Sequence, residues 1–127
     1  MNMIKKRILL VDDEPSITRG IKLNLETTGQ YEVQTENFAA NAYSTACRFK
    51  PDLILLDVMM PGKDGGEVAA QMKTSTSLKH VPIVFLTAIV SKSETGGGAS
   101  TIGSMPFLAK PVEWHKLLTC IEEHIGN

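Results

Sequence analysis

The chain has 127 residues, 43% of them hydrophobic, with a formal net charge of -1 and a pI near 6.3. That length and apolar content suit one domain, residues 1–127, around one core, and the near-neutral charge offers no basic field to hold a nucleic-acid backbone. Direct DNA or RNA binding is therefore not expected, and neither is a membrane span, since no apolar run approaches the roughly 20 residues one needs.

The start MNMIKKRILLVDDE runs into acidic residues rather than a cleavable signal, so a cytoplasmic protein is expected. Ile8-Leu9-Leu10-Val11, at the end of residues 5–11, form a short continuous apolar run, as in a strand covered on both faces. Pro15 then stands at an expected first helical turn, behind acidic capping candidates, with Ile17, Ile21 and Leu25 at four-residue spacing and Gly29 as a stop. Tyr31-Glu32-Val33-Gln34-Thr35 alternates apolar with polar and reads as a strand near the sheet edge. Phe38, Ala42, Ala46 and Phe49 trace a second helix that Pro51 ends before the apolar run Leu53–Leu56.

After Asp57, Pro61 and Gly62 mark a turn-rich loop, and Asp64 with Glu67 makes a capping-box pattern ahead of a helix carrying Val68 and Met72. Residues 82–86 read as a fourth strand and Phe107-Leu108-Ala109 as a short fifth. Trp114, Leu118, Ile121 and Ile125 mark the buried stripe of a terminal helix. Cys47 and Cys120 fall within expected helices, form no CxxC or Cys/His cluster and read as buried free thiols. His80, His115 and His124 read as surface residues.

Strands alternating with helices imply right-handed crossovers and a parallel sheet with helices on both faces. The expected fold is α/β, a flavodoxin-like doubly wound three-layer sandwich with a five-stranded parallel sheet in the order 2-1-3-4-5. Its switch point falls between the first and third strands, where Asp12, Asp13 and Asp57 end up. Clustered carboxylates repel, and a hard divalent cation such as Mg²⁺, which accepts oxygen ligands and keeps open positions, removes that repulsion. Thr87 and Lys110, at the ends of the fourth and fifth strands, can then meet phosphoryl oxygens. Asp57, alone at the mouth of a central strand, is the candidate nucleophile, and the pair Asp12-Asp13 is better disposed to hold metal.

Asp12-Asp13, Asp57 followed by Met60-Pro61-Gly62 and Asp64-Gly65, Thr87-Ala88, and Lys110-Pro111 occur in the order and at the spacings of a two-component response-regulator receiver domain. The chain resembles that family over essentially its whole length. The resemblance implies that Asp57 accepts phosphate from a sensor histidine kinase or phosphotransfer protein, with Mg²⁺ bound by Asp13, Asp57 and the Met59 main-chain carbonyl and Asp12 assisting through water. It makes Thr87 the switch hydroxyl, Phe107 the switch aromatic and Lys110 the phosphate clamp. It further implies a signalling module, not an enzyme turning over an external substrate, that catalyses its own phosphorylation and dephosphorylation. The surface of the fourth helix, fifth strand and fifth helix would pass the signal to a downstream partner or output domain.

Two features depart from the family. Gly96, Gly97 and Gly98 each cost about 1 kcal/mol relative to alanine within a helix, so the fourth helix is expected to be short or irregular. Pro106, just before Phe107, removes a backbone donor and stiffens the start of the fifth strand. The irregular segment leaves a second reading, a constitutive protein-binding module that retains the site without phosphorylation. A third reading, an aspartyl phosphatase, would need a second acid two residues after the nucleophile, where Asp57-Val58-Met59 has none.

Overall fold

The run Leu53-Ile54-Leu55-Leu56 has no polar residue to turn toward water, and all four side chains are fully buried in β3 (Leu53–Asp57), the central strand of the sheet. A computed structural model of the protein describes residues 4–62, 64–88, 101–102 and 105–126. Before β3 come β1 (Lys6–Val11), α1 (Pro15–Thr27), β2 (Tyr31–Glu36), a 3-10 turn (Ala39–Asn41) and α2 (Ala42–Phe49). After it come α3 (Gly65–Lys73), β4 (Ile83–Thr87), β5 (Thr101–Ile102), β6 (Met105–Ala109) and α4 (Trp114–Ile125).

Five parallel strands lie in the order β2-β1-β3-β4-β6, which is the flavodoxin-like 2-1-3-4-5 arrangement. The sheet exceeds the expected one by the two-residue β5, antiparallel to β6, in which Thr101 faces Pro106 at the sheet's edge. The glycine-rich stretch expected to carry a short or irregular helix, residues 91–100, lies outside the described residues.

Alternation along the strands divides the core in two. Leu9, Val11, Ile54, Leu56, Phe85 and Phe107 face α2 and α3, whereas Ile8, Leu10, Leu53, Leu55, Val84 and Leu86 face α1 and α4. Each fully buried Leu or Ile contributes about 1.5–3 kcal/mol of transfer free energy, so both faces must stay covered for this sheet to persist. Coverage on both sides also fixes register, and the rung Val11–Leu56–Phe85–Phe107 runs straight across four strands.

Several local expectations need correction. Phe38 precedes α2 and is exposed, because the helix starts only after the 3-10 turn. In α4 the buried positions are Leu117, Cys120 and Ile121, with Trp114, Leu118 and Ile125 packed at the margin, so the stripe is rotated by about one residue. Cys47 is half-buried rather than buried. His124 is half-buried too, held by a 2.7 Å contact between its Nδ1 and the Cys120 carbonyl. Glu14 is the N-cap residue of α1, but its side chain makes no capping hydrogen bond; the first helical position is Pro15, which needs no N–H partner. The capping box at α3 forms as expected, Asp64 Oδ1 accepting from the Gly66 N–H at 2.7 Å and Glu67 Oε1 from the Asp64 N–H at 3.3 Å. Among the described residues no helix is long and apolar enough to cross a membrane.

The β2 edge is closed by side chains. Lys22 Nζ on α1 donates to the Val33 carbonyl at 2.6 Å, and Glu26 Oε2 accepts from the Val33 N–H at 3.1 Å. The two are themselves paired at 3.0 Å. An ion pair thus occupies backbone groups through which another strand would add.

Candidate functional site

Parallel strands all present their C-terminal ends on one edge, and here that edge gathers Asp12 after β1, Asp57 ending β3, Thr87 ending β4 and Lys110 after β6. The rungs place them side by side: the Val58 N–H reaches the Leu86 carbonyl at 3.0 Å, and the Lys110 N–H reaches the Thr87 carbonyl at 2.9 Å. Asp12, Asp57 and Thr87 are almost fully buried, and Asp13 is half-buried.

Asp12, Asp13 and Asp57 each offer one carboxylate oxygen, and these oxygens lie within 4.8 Å of one another. At an effective dielectric of about 20, each such pair of charges repels by about 3 kcal/mol. Lys110 offsets part of this. Its Nζ is 2.6 Å from Asp12 Oδ2, 3.4 Å from Asp57 Oδ2 and 3.9 Å from Glu14 Oε1. Burial pulls the ammonium's pKa down, but the hydrogen bond and charge of Asp12, joined by Asp57, outweigh it and leave the pKa raised. Lys110 therefore remains a cation. One positive charge still faces three carboxylates.

Asp57 carries the imbalance. Burial first, and the Asp12 charge second, push its carboxyl up from 3.8 to about 6, against the opposing pull of Lys110 and of the Met59 N–H, which donates to Asp57 Oδ1 at 3.3 Å. A carboxylate so destabilised gains from any cation that joins it. The donors gathered here are carboxylate oxygens without sulfur or imidazole, a set that fits Mg²⁺. Beside the trio, Asp13, Val58, Met59, Met60, Pro61 and Asp64 line a cleft of about 580 Å³.

The geometry thus brings together Asp12, Asp13, Asp57 and Lys110. Met59 is exposed on the loop after β3, whereas Met60 packs inward against the α2/α3 core. Phe107 is buried in the same core, one rung below the site and opposite Phe85. Two neighbours were not read from the sequence: Glu14 approaches Lys110, and Asn37 donates through Nδ2 to the Asp12 carbonyl at 2.7 Å. Gly65, already part of the Asp64-Gly65 motif, lies against the Asp57 main chain. Adjacency to Asp12-Asp13 could have drawn attention to Glu14, but no local signal marks Asn37, whose role depends on strand pairing.

The response regulator receiver domain model matches residues 8–122. The chain is 39% identical over 107 residues to the response regulator PleD of Caulobacter vibrioides, covering 84% of this chain and 23% of PleD. To protein PilH of Pseudomonas aeruginosa it is 30% identical over 115 residues, covering 91% of this chain and 93% of PilH. It thus spans less than a quarter of one relative and nearly all of the other. Its structure is similar to that of the receiver domain of the sensor histidine kinase PA1611 from P. aeruginosa, with a TM-score of 0.79, 27% identity and coverage of 98% and 100% of the two chains; that crystal structure has a magnesium ion coordinated in the active-site cleft. With a family match over nearly all of its length and an acidic cluster at the switch point of a 2-1-3-4-5 sheet, the chain belongs to the response regulator receiver domains.

Proposed function

We propose that residues 1–127 act as a phosphoacceptor receiver in the cytoplasm, with Asp57 as the nucleophile. A carboxylate oxygen of Asp57 attacks the phosphorus of a phosphohistidine on a histidine kinase or phosphotransfer protein. The P–N bond breaks, the imidazole leaves and takes up a proton, and an acyl phosphate forms on Asp57. Asp13, Asp57 and the Met59 carbonyl would hold Mg²⁺, with Asp12 acting through water. The bound ion supplies positive charge to the phosphoryl oxygens and lowers the cost of ionised Asp57.

Lys110, already within reach of Asp57 Oδ2, exchanges that contact for a phosphoryl oxygen. Thr87, at the end of the adjacent strand, donates its hydroxyl to another. Movement at Thr87 is passed to Phe107 on β6 and so to the face of β6 and α4. That face would control a downstream protein or an output domain.

The observation that carries this reading is the convergence of three carboxylate oxygens within 4.8 Å, with Lys110 Nζ at 2.6 Å and 3.4 Å from two of the carboxylates. Incubation with Mg²⁺ and a small acyl or amido phosphate should add one phosphoryl mass, and Asp57→Asn should abolish the gain. Absence of an adduct in the wild type would sink the proposal and leave a constitutive protein-binding module. Steady release of phosphate would point instead to a hydrolase.

A further inference from the structure

We propose that Asn37 is a positioning residue for the acidic cluster: its side-chain amide fixes the loop bearing Asp12 and Asp13 and thereby sets how tightly the loop holds a divalent cation. The inference rests on reading the cluster as a cation site. Asn37 directly follows the edge strand β2 and is half-buried. Its Nδ2 donates to the Asp12 carbonyl at 2.7 Å and to Thr18 Oγ1 at 3.1 Å. A main-chain carbonyl only accepts, so the atom facing it must be the nitrogen, and both amide protons are used. Thr18 is buried in the first turns of α1 and passes its own proton to the Pro15 carbonyl at 3.1 Å.

Two consecutive residues of β2 and its following loop therefore grip one residue of the site. The Glu36 carbonyl accepts from the Asp12 N–H at 3.1 Å, and Asn37 holds the Asp12 carbonyl. The Asp12 carbonyl belongs to the peptide unit that joins Asp12 to Asp13. Because that unit is planar, fixing its oxygen fixes the direction in which Asp13 leaves it. Asp13 is the least buried of the three carboxylates, so it depends most on its backbone for its place in the trio. Lys110 holds the Asp12 side chain from the opposite side and cannot replace this constraint.

The test is a Mg²⁺ titration of wild type, Asn37→Ala and Thr18→Val, followed by backbone amide shifts in NMR spectra. Loss of a group that orients metal ligands typically weakens metal binding by 10–100-fold, and the Mg²⁺ dissociation constant of Asn37→Ala should rise about 10-fold. Thr18→Val, which removes only the outer anchor, should show a smaller rise in the same direction; it decides the matter if Asn37→Ala does not fold. With a small acyl phosphate, the Mg²⁺ concentration for half-maximal phosphorylation should rise by the same factor, while the rate at saturating Mg²⁺ stays within about two-fold of wild type. A lower metal-free thermal midpoint with an unchanged dissociation constant would overturn the proposal, because Asn37 would then merely stabilise the loop. Should the wild type bind Mg²⁺ without being phosphorylated, the proposed function fails, yet the dissociation constants still decide the role of Asn37.

Discussion

Gly65 lies so close to Asp57 that a Cβ on it would overlap the Asp57 carbonyl oxygen and stand 2.8 Å from Val58 Cα. The Gly65 N–H also donates to the Val58 carbonyl at 2.9 Å, so the first residue of α3 is docked directly on the end of β3. Backbone on both sides leaves no flexible side chain to yield. Gly65→Ala should cost about 1–3 kcal/mol in chemical denaturation, as overpacking does. It should also slow phosphorylation of Asp57 by displacing the strand end. Gly66→Ala meets only the Asp64 carboxylate, its nearest atom 3.2 Å away, and serves as the control. Equal stability of the two variants would refute the steric argument.

Asp57 gives the metal-free protein an unusual pH dependence. Its carboxyl titrates at about 6 when folded, against 3.8 ordinarily, so the native state binds the proton more tightly than the unfolded chain does. Stability should then fall as pH rises from about 4 to about 6, by on the order of 2 kcal/mol, and this group adds no slope above that window. Asp57→Asn removes the slope and should raise the thermal midpoint at pH 7.5 in EDTA. Mg²⁺ should reverse the wild-type loss at pH 7.5 and lose affinity below pH 6, where it competes with the proton. Parallel stability curves for wild type and Asp57→Asn between pH 4 and 8 would refute this account.

The guard on the β2 edge can be removed selectively. Accepting the Val33 N–H, against the cost of burial and with help from Lys22, holds the Glu26 carboxyl below its ordinary range. Glu26→Ala leaves that N–H open at the edge and should cost about 1 kcal/mol. It should also promote concentration-dependent association through strand addition. Glu26→Gln keeps an acceptor and should remain closer to wild type. Light scattering at matched concentrations checks both, and equal behaviour of the Ala and Gln variants would refute the edge mechanism.

The sheet order was legible because apolar runs such as Leu53–Leu56 allow only a strand buried on both faces, and each run ends on a polar residue. The site was legible for the same reason, since parallel strands bring Asp12, Asp57 and Lys110 to one edge whatever their separation in sequence. What could not be read depends on distance rather than pattern. Phe38 fits a four-residue spacing with Ala42, yet its position is decided by a 3-10 turn that the spacing does not encode. The stripe of α4 shifted because Leu117 and Leu118 are chemically equal and only the packed sheet chooses between them. Asn37 has no motif, and its partner lies 25 residues away.

Under the proposed function Lys110 would make opposite demands on ion binding and on signalling. Its Nζ neutralises Asp12 and Asp57 when no other cation does, and its side chain is only 12% exposed. Lys110→Met leaves the carboxylate of Asp12, fully buried, without its ammonium, so the metal-free protein should be destabilised by several kcal/mol near neutral pH. The same loss removes a positive charge that repels an incoming ion. At about 4 Å a unit charge and a divalent ion repel by about 2 kcal/mol even in water, so Mg²⁺ should bind about 30-fold more tightly to the variant. Phosphorylation of Asp57 should persist, but the spectral change it causes in β6 and α4 should shrink, because no ammonium remains to follow the phosphoryl oxygen. Calorimetric titration with Mg²⁺ and amide spectra with and without a phosphoryl mimic check the two halves separately. Weaker Mg²⁺ binding by Lys110→Met would show that the lysine builds the cation site rather than competing for it.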